Sequence, residues 1–130
     1  MEDNITEFLS LRDFAVFGAS DQRDQAGYRL VRSLGQSGYH VYPINPRIAS
    51  IGAMRCYGTL DELPVVPQVL VIALPPESAY EVVKSGMAHG VRRFWIQPES
   101  RSADLLTLID ENGLAAVHSE CLLSELSKRL

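Results

Sequence analysis

The stretch FAVFGASDQRDQAGYRLVRSLGQSGYHVYPINP, residues 14–46, reads as strand, glycine-started loop, helix and second strand. Phe14-Ala15-Val16-Phe17 is an unbroken apolar run that Gly18 stops. Such runs, unlike alternating ones, suit a parallel strand covered on both faces. Past the loop, Tyr28, Leu30, Val31 and Leu34 recur at helical spacing, and Gly38 closes the segment. Gly18 has no Cβ, so loop amides can approach an anion, and the positive end of the following helix adds to their field. The same glycine suits a tight strand-to-helix turn without a ligand, so the loop alone leaves both readings open.

The end of the second strand separates them. Dinucleotide folds place an Asp or Glu there to take the ribose hydroxyls. Here Val41-Tyr42-Pro43-Ile44 runs into Asn45-Pro46-Arg47 without a carboxylate, and Ser20 stands at the second glycine position of GxGxxG. Both departures disfavour an NAD(P)-linked redox or sensor domain. A nucleotide with a phosphate on its ribose, such as coenzyme A, is better served by amide donors and a cation. Arg47 lies just past the strand to supply the cation. A bulkier residue at Gly18 is expected to block such a ligand while leaving the fold in place with some strain.

At 130 residues the chain is long enough for one domain with a real core, and 1–130 is read as that single domain. Hydrophobic residues make up 46%, which argues against global disorder. The net charge of -4, without a basic patch interleaved with aromatics, argues against nucleic-acid or anionic-membrane binding. No apolar run approaches the ~20 residues that span a bilayer. Met1-Glu2-Asp3-Asn4 is acidic and does not read as a signal peptide. Cys56 and Cys121 lack a pairing pattern, so free thiols and a cytoplasmic location are expected.

Elsewhere strands and helices alternate with short connections. A short leading helix covers Thr6 to Leu9, and a helical turn surrounds Leu60 to Leu63. Val69 to Ala73 is the third strand, Pro75-Pro76-Glu77 opens a helix reaching His89, and Arg92 to Ile96 is the fourth strand. A helix from Ser102 or Asp104 stops at Gly113, Leu114 to Val117 is the fifth strand, and a last helix runs from Cys121 to Leu130. This order predicts an α/β, doubly wound, Rossmann-like fold. Five parallel strands in the order 3-2-1-4-5 carry helices on both faces. Ligands of such sheets bind at the carboxyl ends of the strands, where the order reverses. Gly18 to Tyr28, Asn45 to Arg47, Leu74 to Glu77 and Gln97 to Ser100 would meet there.

No catalytic set and no metal site emerges. His40, His89 and His118 sit on separate elements without metal-ligand spacing. Cys121 reads as a structural thiol, with reaction toward CoA disulfides as the alternative. Phe94 and Trp95 read as core. Gln97, just past the fourth strand, can both donate and accept and is a candidate ligand contact.

Taken in order, Gly18-Ala19-Ser20, Gly27-Tyr28-Arg29, Gly38-Tyr39, Pro43-Ile44-Asn45-Pro46, Gly52, Tyr57, Leu60, Pro64, Gly90, Trp95-Ile96-Gln97 and Cys121 form a series. Over roughly residues 10 to 125 it resembles the small CoA-binding proteins, single Rossmann domains akin to the CoA-binding domain of succinyl-CoA synthetase alpha subunits. The resemblance implies coenzyme A on the first loop (Gly18, Ala19, Ser20, Arg23, Gly27, Tyr28), the second strand end (Asn45, Pro46, Arg47) and the third strand loop (Leu74, Pro75). It implies no catalytic step in the isolated domain. Family members usually carry Arg or Lys where this chain has Gln25, and Arg23 is positioned to compensate. Leu74-Pro75-Pro76 is similar to the corresponding loop of the synthetase subunits. The expected function is therefore binding of CoA or an acyl-CoA, alone or as a component of an acyl-CoA synthetase-type enzyme with a ligase-domain partner.

Overall fold

In a computed structural model, which describes residues 2–129, the chain alternates helices and strands around one five-stranded parallel sheet. The elements are α1 (Glu2–Leu9), β1 (Asp13–Phe17), α2 (Ala26–Gln36), β2 (His40–Ile44), β3 (Ser50–Ile51), β4 (Met54–Arg55) and β5 (Val69–Ile72). They continue with α3 (Pro76–Ala88), β6 (Arg93–Ile96), α4 (Ala103–Glu111), β7 (Ala115–Val117) and α5 (Leu122–Lys128). Short 3₁₀ turns occupy Leu60–Glu62 and Pro98–Ser100. The last helix thus ends at Lys128, and Leu130 lies outside the described residues.

The side chains of each strand alternate between two cores, as the period of two requires. Phe14, Val16, Val69, Val71, Trp95 and Val117 pack on one face against Phe8 of α1, Leu30 and Leu34 of α2 and Leu122 of α5. Ala15, Leu70, Ile72, Phe94 and Ile96 pack on the other, against Ala79 and Val83 of α3 and Leu105 and Ile109 of α4. Leu30 and Leu34 are fully buried, and each contributes about 1.5–3 kcal/mol relative to exposure. Phe94 and Trp95 are fully buried as well, and the Trp95 indole N–H donates to the Glu120 carbonyl at 2.9 Å.

The α/β class, the parallel sheet and the helices on both faces match the expectation, but the strand order does not. The sheet runs β2-β1-β5-β6-β7, so its five strands in chain order stand 2-1-3-4-5 rather than 3-2-1-4-5. Pro43 supplies the physical reason. It pairs in register with Val16 of β1 and turns its carbonyl away from β1, to the Tyr57 N–H at 2.8 Å. The N–H that proline lacks therefore falls on the outer edge. An interior second strand would have left a gap in its ladder there, which is why proline in a strand marks an edge. β5 pairs instead with the other side of β1, in register from Phe14↔Val69 to Phe17↔Ile72. The reversal of order, and with it the crevice, lies between the carboxyl ends of β1 and β5.

Candidate functional site

At that crevice, Gly18 ends β1 with φ +100°. A Cβ there would overlap the carbonyl oxygen of Ala73, at the end of β5. A Cβ on Gly27 would overlap the carbonyl oxygen of Gly18. Two glycines thus let β1, β5 and the start of α2 approach closely. The expectation that a Gly18→Val protein keeps its fold is corrected by this contact, because the obstacle is neighbouring backbone and the φ is one that side chains disfavour.

The loop between them opens on a cleft of about 330 Å³, lined by Gly18, Ser20, Gln25, Gly27, Leu74 and Pro75, with Ala26, Ala73 and Glu99 completing it. Gln25 is the N-cap of α2 yet makes no side-chain capping bond, and no carboxylate occupies the first turn. The amides at the start of an α-helix need an outside acceptor. Here Ala26 and Gly27, the residues that carry them, form part of the cleft wall. The Ser20 hydroxyl accepts from the Gln22 N–H at 3.0 Å, which shapes the loop while leaving its proton for another acceptor.

Side chains behind the cleft brace it. Asn45 Nδ2 donates to the Ala19 carbonyl at 2.8 Å, and its Oδ1 accepts the Arg47 N–H at 2.8 Å. Ser100, fully buried, accepts the Leu74 N–H at 3.0 Å and donates to the Ile72 carbonyl at 3.3 Å, so it holds the turn after β5. Gln97 is 1% exposed; its Oε1 accepts the Leu122 N–H at 2.9 Å and its Nε2 reaches Cys121 Sγ at 3.5 Å. The Gln97 amide therefore caps α5 and fastens it to the end of β6.

Of the residues singled out in the sequence, Gly18, Ser20, Gly27, Leu74 and Pro75 come together in the cleft. Ala19 is buried beneath it, and Asn45 turns inward to Ala19. Pro46 and Arg47 are exposed on the turn after β2. Arg23 and Tyr28 line a separate groove between α2 and α5. Sequence reasoning missed Glu99 in the cleft and Ser100 behind it. Both lie in the segment Gln97 to Ser100, which the topology had placed at this edge.

Among the described residues no three His, Cys, Asp or Glu side chains are grouped to hold a metal ion, and no helix is long and apolar enough to cross a membrane. Cys56 is buried and Cys121 half-buried, both as free thiols. Burial, reinforced by Asp21, pushes the Cys56 thiol pKa up, which keeps it protonated.

Comparison with known proteins meets this geometry. The chain is 29% identical over 83 residues to the ADP-forming acetate–CoA ligase II of Archaeoglobus fulgidus, a match covering 62% of this chain and 12% of that one. It is 30% identical over 69 residues to the alpha subunit of the ADP-forming acetate–CoA ligase II of Pyrococcus furiosus, covering 52% of this chain and 15% of that one. The chain thus spans only a small part of these ligases. A solved structure of a conserved hypothetical protein from Pyrococcus furiosus superposes with a TM-score of 0.84 at 28% identity, covering 88% of this chain and 99% of the other. The family model described as CoA binding domain matches residues 12–127, which include both glycines of the crevice, the Asn45 brace and the Gln97 clamp. With nearly its whole length matched, the chain belongs to the CoA-binding domain family, related to subunits of acyl-CoA ligases.

Proposed function

We propose that this domain binds coenzyme A or an acyl-CoA at the carboxyl edge of its sheet, without a catalytic step of its own. The observation that carries this reading is the uncapped start of α2 opening on the cleft beside Gly18. An uncapped helix start presents amide donors and a positive dipole end, which suit a diphosphate. The Ser20 hydroxyl adds a donor on the same side. Leu74 and Pro75 offer an apolar wall for the pantetheine arm, and Arg47 is the cation assigned to the ribose 3′-phosphate. Arg23, Tyr28 and Gln97 fall outside this contact set, the first two because they face another groove and the third because its amide is engaged internally. We place the protein in the cytoplasm, where CoA and free thiols occur together.

A thermal-shift series tests the reading. CoA should raise the melting temperature more than ADP, and NAD should not raise it. A larger shift with NAD would replace the CoA reading with a nicotinamide one.

A second reading, a CoA-binding component of an acyl-CoA synthetase-type complex, is favoured by the match to a ligase alpha subunit. In that arrangement the catalytic domains sit on a partner chain. Native co-purification of a ligase-domain protein supports it, and a lone polypeptide under the same conditions counts against it.

A further inference from the structure

Two surface features outside the cleft are opposite in charge and lie on opposite faces of the sheet. Between α2 and α5 runs a groove of about 630 Å³ to which Arg23, Arg29 and Arg32 contribute, with Tyr28, Leu123 and Leu126 as its apolar part and no carboxylate among its lining residues. None of the three arginines forms an ion pair among the described residues. Arg29 donates only to the Asp24 carbonyl, at 3.1 Å, and Arg32 lies 5.9 Å from the centre of the Tyr28 ring. Arg29 and Arg32 are three residues apart on α2, a spacing at which like charges repel. Arg29 also sits in the first turn, where the helix dipole disfavours a cation. The isolated molecule thus holds this charge at a disadvantage that an external anion removes.

On the other face, α3 carries Glu77 and Glu81 one turn apart along its exposed ridge. With Asp104 at the start of α4 they border a recess of about 350 Å³ that has no cation in its lining. None of these three carboxylates is ion-paired among the described residues either. The same ridge carries Lys84, whose ammonium lies 5.8 Å from the centre of the Tyr80 ring, but Glu77, Glu81 and Asp104 leave this face net acidic and complementary in charge to a groove bearing three guanidinium groups. Because α2 and α5 cover one face of the sheet and α3 and α4 the other, the two surfaces cannot meet within one molecule. Nor can a two-fold dimer pair them reciprocally, since an isologous interface uses one patch on both subunits.

We infer that copies of this chain associate head to tail, the α3 ridge of one seated in the α2–α5 groove of the next. Glu77 and Glu81 meet Arg29 and Arg32, and Tyr28 and Leu123, both half-buried in the single chain, lose solvent. Charge pairing at the rim makes the association sensitive to ionic strength. The inference is independent of the CoA reading, because neither surface includes a residue of the contact set proposed at the cleft, from which Arg23 and Tyr28 are excluded.

Sedimentation velocity on the full chain tests it. In low salt the wild type should sediment faster as concentration rises, and in high salt it should return to monomer. Arg32→Glu and Glu81→Lys should each remain monomeric with wild-type circular dichroism. An equimolar mixture of the two should regain assembly, because the intact ridge of the first variant fits the intact groove of the second and the two reversed charges are complementary at the other contact. A wild type that stays monomeric at every concentration in low salt overturns the inference. So do single variants that still assemble, or a mixture that fails to pair. Weakened CoA binding by Arg32→Glu with unchanged sedimentation would assign the groove to the nucleotide and equally overturn it.

Discussion

Asn45 Nδ2 donates to the Ala19 carbonyl at 2.8 Å, tying the end of β2 to the glycine loop that follows β1. The same side chain accepts the Arg47 N–H, so one amide sets both the loop and the turn that presents the cation. Replacing Asn45 by Ala removes both bonds and should lower the free energy of unfolding by about 1–2 kcal/mol, read from urea denaturation. Asn45→Asp keeps the acceptor for Arg47 but sets a carboxylate against the Ala19 carbonyl, so it should lose CoA affinity as Asn45→Ala does. Wild-type stability in Asn45→Ala would remove the brace from the account.

Gly27→Ala places a methyl group against the Gly18 carbonyl. Backbone cannot step aside as a flexible side chain can, so α2 must shift from β1. The expected loss is about 1–3 kcal/mol in urea unfolding, by overpacking. Gly35→Ala, whose Cβ would meet only the end of the Met54 side chain, should be tolerated better. Equal losses at the two positions would contradict the close-packing role of Gly27.

Much of this was legible in residues 14–46, because an apolar run, a glycine and a helical repeat each carry a local physical signature. The strand order was not read correctly, although Pro43 held the sign: proline removes one ladder donor and so belongs on an edge. The β3–β4 hairpin escaped notice because strands of two residues are too short to show a period. Asn45 and Gln97 have the hydrogen-bonding capacity of ligand contacts, and their amides engage internal partners. Residue type gives an amide's hydrogen-bonding capacity, whereas its direction depends on which neighbours the fold brings within reach. Arg23 faces the α2–α5 groove for a similar reason, since loop position does not fix the side to which a long side chain turns.

Gln97 allows the two roles to be separated. Its amide accepts the first N–H of α5 in a fully buried setting. Gln97→Ala should destabilise the fold by about 1–3 kcal/mol, the cost of an unsatisfied buried donor. CoA affinity at a temperature where the variant is folded should stay near that of the wild type. A selective loss of affinity without destabilisation would return Gln97 to the ligand.

His89, at the end of α3, bonds the Ser85 carbonyl and the Asp61 carboxylate, and these raise its pKa above the ordinary histidine value, the Ser85 bond contributing most. A group whose pKa is raised on folding stabilises the fold fully below its unfolded pKa, about 6.5, and loses that contribution as pH rises through the folded value. Stability should therefore fall from pH 5.5 toward 8.5 by this term. The wild type minus Asp61→Asn difference in urea midpoint should shrink over the same interval. A difference that stays constant or grows with pH would contradict the linkage.

Arg47→Ala should weaken CoA more than dephospho-CoA, because only the former carries the 3′-phosphate assigned to this cation. Calorimetric titration would show the two ligands converging in affinity. Equal weakening of both would leave Arg47 without that role.

Calorimetric titration of nucleotide-free wild-type protein with CoA, against dephospho-CoA and NAD, reads out directly whether the cleft beside Gly18 takes coenzyme A. Coenzyme A at that cleft requires one-to-one micromolar binding of CoA, weaker binding of dephospho-CoA, and no heat from NAD. Absence of CoA binding in folded protein, or affinity for NAD equal to that for CoA, would contradict it.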